Sequence, residues 1–318
     1  MLTIHTTASD DPGSHSGTAF WLDLLNPTPE ETVRVAAEFG IQVPSRASLQ
    51  EIETSSRTYA EGQVLYTSMP LAGQSDTAGY APLPLGFILS PQLLITIRYS
   101  ELAVFAEIGA RMDKAPNIDS ATVFAELIDG MVDFSADVLE KLSSDLCAVS
   151  TRAFGQHAGS SSGNKRVTHA LRVSLSAVGS AGDHLSRIRE SLLGLQRIVG
   201  FAGDMGADWL RPELKLRLKT ARQDLSSLVD FEAHLSGKTQ FLLDAILGFI
   251  NTEQNDIFKV LTIVSVVGIP PTLIASMYGM NFHYMPELSW RWGYAYGLAL
   301  IALSTLVPII WFKRRGWW

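Results

Sequence analysis

Seven residues near the end of the chain could do chemistry together. Asn255, Phe258, Leu261, Ser265, Ile269, Thr272 and Ser276 follow steps of three and four, so they share one face of a helix. That face mixes bulky apolar side chains with small hydroxyls and amides. Such a stripe either lines a water-filled path or bonds its own backbone and a neighbouring helix. Both readings are open from spacing alone. The adjacent Pro270-Pro271 pair removes two backbone donors, which predicts a bend.

Other chemistry is poorly represented. The seven histidines (His5, His15, His157, His169, His184, His234 and His283) show no paired metal-ligand spacing. There is no nucleophile elbow, paired-carboxylate motif or dinucleotide fingerprint, so the sequence does not read as an enzyme. The stretch HAGSSSGNK (157–165) lacks the Gly-Lys-Ser/Thr ending of a phosphate loop and reads as a flexible turn. One cysteine, Cys147, excludes an intrachain disulfide and a multi-thiolate zinc site within the chain.

The elements that position the stripe are membrane spans. VLTIVSVVGIPPTLIASMY (260–278) and GYAYGLALIALSTLVPIIWF (293–312) carry no charge, and each is close to the ~20 residues that cross a bilayer. Charged residues make up only 18% of the chain and mean hydropathy is +0.15, both on the membrane side of an ordinary soluble protein. The net charge of −7 argues against nucleic acid as a partner, because phosphate neutralisation needs a basic face. The N-terminal residues have neither a basic nor an apolar leader region, so no cleavable signal peptide is expected.

Lys313, Arg314 and Arg315 follow the second span, whereas the loop between the spans holds only Arg291 as a Lys or Arg. The positive-inside rule therefore predicts both termini in the cytoplasm of an inner-membrane, two-span protein. Trp290, Trp292, Trp311, Trp317 and Trp318 fall where interfacial aromatics belong.

The first ~125 residues read as an α/β unit. Strands are predicted over 18–25, 57–69, 84–90 and 92–100, with a helix capped by Thr28 and running to Gly40. Long helices are predicted over 120–153 and 166–202, and a third from ~211 into the first span near 280. The expected division is a cytoplasmic α/β domain over 1–125 and a cytoplasmic long-helix stalk over 126–256. A pore-lining span over 257–281, a periplasmic loop over 282–292, a second span over 293–312 and a basic cytoplasmic tail over 313–318 follow.

Tyr278-Gly279-Met280-Asn281, with Met285-Pro286-Glu287-Leu288 downstream, lies between the two spans. This paired motif in that setting closely resembles the CorA family of magnesium channels, most strongly over residues 240–318. FWLDLLNPTPEE and LPLGFILSPQLLITIR resemble the family's cytoplasmic domain more loosely. The resemblance implies an α+β membrane protein: a funnel-shaped homopentamer with the first spans around one pore. It implies Gly279, Met280 and Asn281 at the selectivity filter, Thr272 and Asn255 as polar rings, and Phe258 and Leu261 as a hydrophobic constriction. Glu287 would stand in an outer, cation-concentrating ring.

A ring of neutral amide oxygens suits magnesium, which sheds its water shell reluctantly. The resemblance also implies gating by cytoplasmic magnesium bound between subunits. Asp224 and Asp244 are the candidate ligands, although the family's sensing positions do not map cleanly onto this chain. Cobalt and nickel are further expected cargo, and no organic cofactor is expected. A zinc transporter of the same superfamily and a non-conducting two-span metal sensor are the alternatives.

Overall fold

The computed structural model describes residues 1–6, 19–51, 53–71, 83–112, 118–159, 165–280, 283 and 285–317. Six strands are described: β1 (Leu2–Thr6), β2 (Ala19–Leu25), β3 (Thr58–Glu61), β4 (Val64–Leu71), β5 (Leu83–Leu89) and β6 (Leu94–Arg98). They form one sheet in the order β1-β2-β6-β5-β4-β3. Only β2 and β6 run parallel, with Trp21 opposite Leu94 and Leu25 opposite Arg98. The four other pairings are antiparallel.

The β2–β6 pair carries a buried polar network. Trp21 Nε1 donates to Thr96 Oγ1 at 3.0 Å, and Thr96 Oγ1 donates to Asp23 Oδ1 at 2.7 Å. Arg98 reaches the same carboxylate with Nε and Nη2, at 3.0 and 2.8 Å to Oδ2. A fork of two N–H donors on one carboxylate satisfies a charge that burial would otherwise make costly.

Both faces of the sheet are covered, which explains why β2, β5 and β6 are apolar almost throughout. On one face Leu22, Leu24, Ile88, Ile95 and Ile97 pack with Val35 of α1 (Pro29–Phe39) and Leu49 of α2 (Arg46–Leu49). The helix α1 begins with a capping box between Thr28 and Glu31 and ends at Gly40, whose φ of 66° closes it in the left-handed region. A short helix, α3 (Thr54–Arg57), leads into β3.

The other face meets α4 (Ala103–Met112), α5 (Ser120–Gly159) and α6 (Lys165–Met205). Phe105 of α4 lies 6.2 Å from the Trp21 ring, and Phe124 of α5 meets Phe87 edge-on at 5.7 Å. Gly194 of α6 is set so close to Met69 that an added Cβ would fall 2.6 Å from the Met69 Cβ. That contact requires a residue without a side chain.

The seventh helix, α7, runs from Pro212 to Tyr278 without interruption, and α8 covers Gly293–Arg314. Residues Met1–Val149 and Ala177–Leu242 pack as one compact unit; Ser150–Ser176 and Leu243–Trp318 form a second. Within the first unit, Arg217 of α7 pairs with Glu126 at 2.7 Å and with Asp129, and Arg189 of α6 pairs with the buried Glu232 at 2.6 Å.

Several boundaries differ from those predicted. β1 and α4 were not expected; each is short, and β1 is defined by its long-range pairing with β2. The turn predicted at 157–165 is helical at both ends, since α5 reaches Gly159 and α6 starts at Lys165. Residues 160–164 lie outside the described residues. Gly62 acts as the turn residue its type suggests: its φ of 62° makes the hairpin turn between β3 and β4 within the run 57–69.

Candidate functional site

The second unit contains both charge-free segments, one in α7 and one in α8, and their burial defines two faces. On α7, Ile263, Val267, Pro270, Pro271, Ile274 and Tyr278 are half-buried. At 100° per residue they form one stripe. On α8 the half-buried residues include Gly293, Gly297, Leu300, Ile301, Ser304 and Pro308, again spaced by threes and fours, and Phe312 is fully buried. Gly297 lies against the Tyr278 ring, so these stripes face each other at that point.

The seven residues singled out by spacing lie on the opposite side of α7, roughly half a turn from the half-buried stripe. Phe258 is 62% exposed, Leu261 58% and Ile269 64%. Asn255, Thr272 and Ser276 are exposed and Ser265 is half-buried. Stepping back along α7 by four, four and three residues from Asn255 gives Asn251, Leu247 and Asp244, all exposed. Asp244 therefore continues the same stripe.

A soluble core helix of this composition would be buried, because apolar area exposed to water costs about 25 cal/mol per Å². Here the apolar window of α7 has no buried residue. The chain itself leaves that apolar surface uncovered.

Local geometry refines the stripe. Thr272 Oγ1 donates to the Gly268 carbonyl at 2.7 Å, and Thr262 Oγ1 to the Phe258 carbonyl at 2.7 Å. Each hydroxyl retains its lone pairs for a further donor such as water. Pro270 and Pro271 cannot donate to the carbonyls four residues back, those of Val266 and Val267. The helix nonetheless remains continuous through both prolines. At its end, Gly279 N–H donates to the Ala275 and Ser276 carbonyls, and Met280 N–H to that of Met277.

Met280 is 48% exposed. Asn281 lies outside the described residues. Glu287 falls within the short 3-10 turn Pro286–Ser289.

Asp224, the other regulatory candidate, belongs to the first unit. It lines an open groove of about 460 Å³ with Asp129, Asp133, Glu213 and Arg217. Burial pushes the Asp129 carboxyl up from its ordinary value, and the hydrogen bond from Arg217 opposes that shift. Among the described residues, no group of three or more His, Cys, Asp or Glu side chains could hold a metal ion within one chain.

The sequence reading did not anticipate the end of α8. Gly316 has φ 70°, Trp317 N–H donates to the Phe312 carbonyl at 3.1 Å, and Gly316 N–H donates to that of Lys313 at 3.2 Å. This is a Schellman closure, and the Trp317 and Phe312 rings meet at a tilt across it, with centroids 5.4 Å apart. The signal was the glycine between a basic turn and an aromatic residue.

The architecture is an α/β domain, a long helix entering an apolar segment, and a second apolar helix, with both apolar segments long enough to cross a membrane. The family model described as CorA-like Mg2+ transporter protein matches residues 16–314, and the chain belongs to that family. It is 34% identical over 309 residues to the magnesium transport protein CorA of Sodalis glossinidius (strain morsitans), covering 94% of this chain and 92% of that one.

Among solved structures, the complete CorA magnesium transporter from Methanocaldococcus jannaschii matches with a TM-score of 0.73 at 18% identity, covering 100% of this chain and 99% of that chain. The ZntB cytoplasmic domain from Vibrio parahaemolyticus matches with a TM-score of 0.56 at 12% identity, over 79% of this chain and 98% of that domain. At such identities these two likenesses establish the fold alone.

Proposed function

We propose that the chain is one subunit of a homopentameric channel that passes magnesium, and secondarily cobalt or nickel, across the inner membrane into the cytoplasm. The observation that carries this reading is the exposed stripe on α7, set opposite the face that packs toward α8. A single such stripe cannot enclose a path; five copies around an axis can. Membership of a magnesium-transporter family and 34% identity to a magnesium transport protein support the cargo.

In the proposed pore, the α7 residues from Val260 to Met280 line the membrane path with their stripe. Gly279, Met280 and Asn281 stand at the outer mouth, and the five Asn281 amide oxygens accept hydrogen bonds from the water shell of the ion. Neutral acceptors hold a hydrated ion without binding it too tightly to leave. Thr272 and Asn255 add polar rings, and Glu287 raises the cation concentration outside. Phe258 and Leu261 form an apolar constriction that closes by dewetting.

No Asp, Glu, His, Lys or Arg lies between Val260 and Asn281, so the span offers no proton relay. The membrane potential then drives the flux. A divalent ion gains about 4.6 kcal/mol per 100 mV, twice the single-charge value. Such a protein makes and breaks no covalent bond, in keeping with a transporter family rather than an enzyme.

Both termini lie in the cytoplasm in this reading, on the strength of Lys313, Arg314 and Arg315. Regulation follows from carboxylates that repel across subunit boundaries unless a cation bridges them; Asp224 and Asp244 are the proposed contributors. Zinc as cargo draws support only from fold likeness to the ZntB domain at 12% identity. Magnesium and zinc uptake measured in parallel in proteoliposomes tests the assignment. Magnesium flux supports it, and zinc flux without magnesium flux overturns it.

A further inference from the structure

The end of α8 presents a cluster of three cations. Lys313, Arg314 and Arg315 are all exposed, and among the described residues no carboxylate pairs with any of them. Elsewhere in the chain several arginines are paired. Arg98, Arg111, Arg189, Arg211 and Arg217 each hold a carboxylate within 3.2 Å.

The Schellman closure at Gly316 fixes how the cluster is presented. It folds Trp317 back onto Phe312, while the Arg315 guanidinium lies 5.0 Å over the Trp311 ring. Trp311 is 50% exposed and Trp317 39%. Two amphipathic indoles thus flank the three cations at the end of a charge-free span. This is the depth at which indoles settle among headgroups and an ammonium or guanidinium meets phosphate.

We infer that this turn is a recognition surface for anionic phospholipid headgroups of the cytoplasmic leaflet. The inference rests on the proposed membrane orientation. The headgroup supplies the anions that no described carboxylate provides, and the two flanking indoles hold the cations at the headgroup plane. Repetition of the turn in every subunit gives the assembly an annulus selective for negative lipid at its inner rim.

The test uses the full-length protein reconstituted in bilayers of phosphatidylcholine and phosphatidylglycerol, with one or the other carrying brominated chains that quench tryptophan. The expected result is preferential quenching by the phosphatidylglycerol, with a relative association constant of about fivefold, the equivalent of roughly one cation's attraction to an anionic surface. High salt should remove the preference, because exposed charges are screened within about 3 Å at 1 M. The Lys313→Gln/Arg314→Gln/Arg315→Gln variant should show none.

Equal quenching by the two lipids in the unsubstituted protein overturns the inference, as does a preference that survives in the triple variant. Loss of the preference to inorganic phosphate at matched ionic strength would assign a soluble anion instead and also overturn it. Magnesium uptake into vesicles of phosphatidylcholine alone reads the channel separately. Flux there without any lipid preference removes this inference and leaves the channel standing; absence of flux counts against the channel.

Discussion

Gly297 of α8 lies against the Tyr278 ring of α7, 4.0 Å from the point a Cβ on Gly297 would occupy. Tyr278 immediately precedes the Gly-Met-Asn segment, so this contact sets where the end of α7 stands relative to α8. At 4.0 Å a methyl group is in ordinary van der Waals contact, but a branched side chain is not accommodated. Gly297→Ala should leave magnesium uptake within about twofold of the original, whereas Gly297→Leu should lower it by tenfold or more, as overpacking of about 1–3 kcal/mol displaces the helix end. Uptake rates normalised to protein reconstituted per vesicle check the difference.

Asp23 and Arg98 form the buried charge pair at the centre of the sheet, 75 residues apart in sequence. Removing one partner strands the other. Arg98→Ala should destabilise the cytoplasmic unit by about 3–5 kcal/mol, and the double change Asp23→Asn/Arg98→Gln by clearly less than the sum of its single changes. Thermal unfolding of the full-length protein in detergent, followed by circular dichroism, measures both.

At the start of α1, the backbone N–H of Thr28 donates to Glu31 and holds its carboxyl below the usual range. The nearby N-terminal ammonium, 3.2 Å away, acts in the same direction. A depressed folded pKa contributes stability that is fully present above the unfolded value near 4.5 and is lost as pH falls through the lower folded value. Glu31→Gln should therefore lower the unfolding temperature slightly at pH 7 and leave it unchanged at pH 2–3. Thr28→Ala should cost about 1 kcal/mol through the lost cap.

Much of the local structure was legible in the sequence because its causes are local. Thr28, Pro29 and Gly40 announce both ends of α1, and alternation with turn glycines gives most strands. Charge-free length announces the spans, and threes and fours place the stripe on one face. The sheet order was not legible, since pairing β2 in parallel with β6 depends on contacts such as Trp21 with Thr96, far apart in the chain. β1 is five residues long and gains its identity only from β2.

The half-buried faces of α7 and α8 were written in their spacing too, but only burial reveals which face packs and which stays open. What the open face meets depends on further subunits, which intrachain spacing does not encode. The cation cluster read as an orientation signal; that no carboxylate among the described residues pairs with it needed the folded chain.

Phe258 and Leu261 give the constriction a direct test. If these apolar side chains close the path by dewetting, Leu261→Asn should wet it and raise basal magnesium uptake severalfold, with weaker inhibition by magnesium on the cytoplasmic side. Val260→Asn provides the control, because Val260 is 62% exposed but lies off the stripe. That variant should leave uptake near the original rate. Equal effects of the two changes would detach the constriction from this face.

The central claim is tested most directly by potential-driven magnesium uptake into proteoliposomes containing a magnesium dye, comparing the unchanged protein with Asn281→Ala and running zinc in parallel. The account predicts uptake that rises with an inside-negative potential, needs no proton gradient, and is abolished or loses its selectivity in Asn281→Ala. Uptake of neither ion by the correctly assembled protein, or magnesium uptake that the substitution leaves untouched, would contradict it.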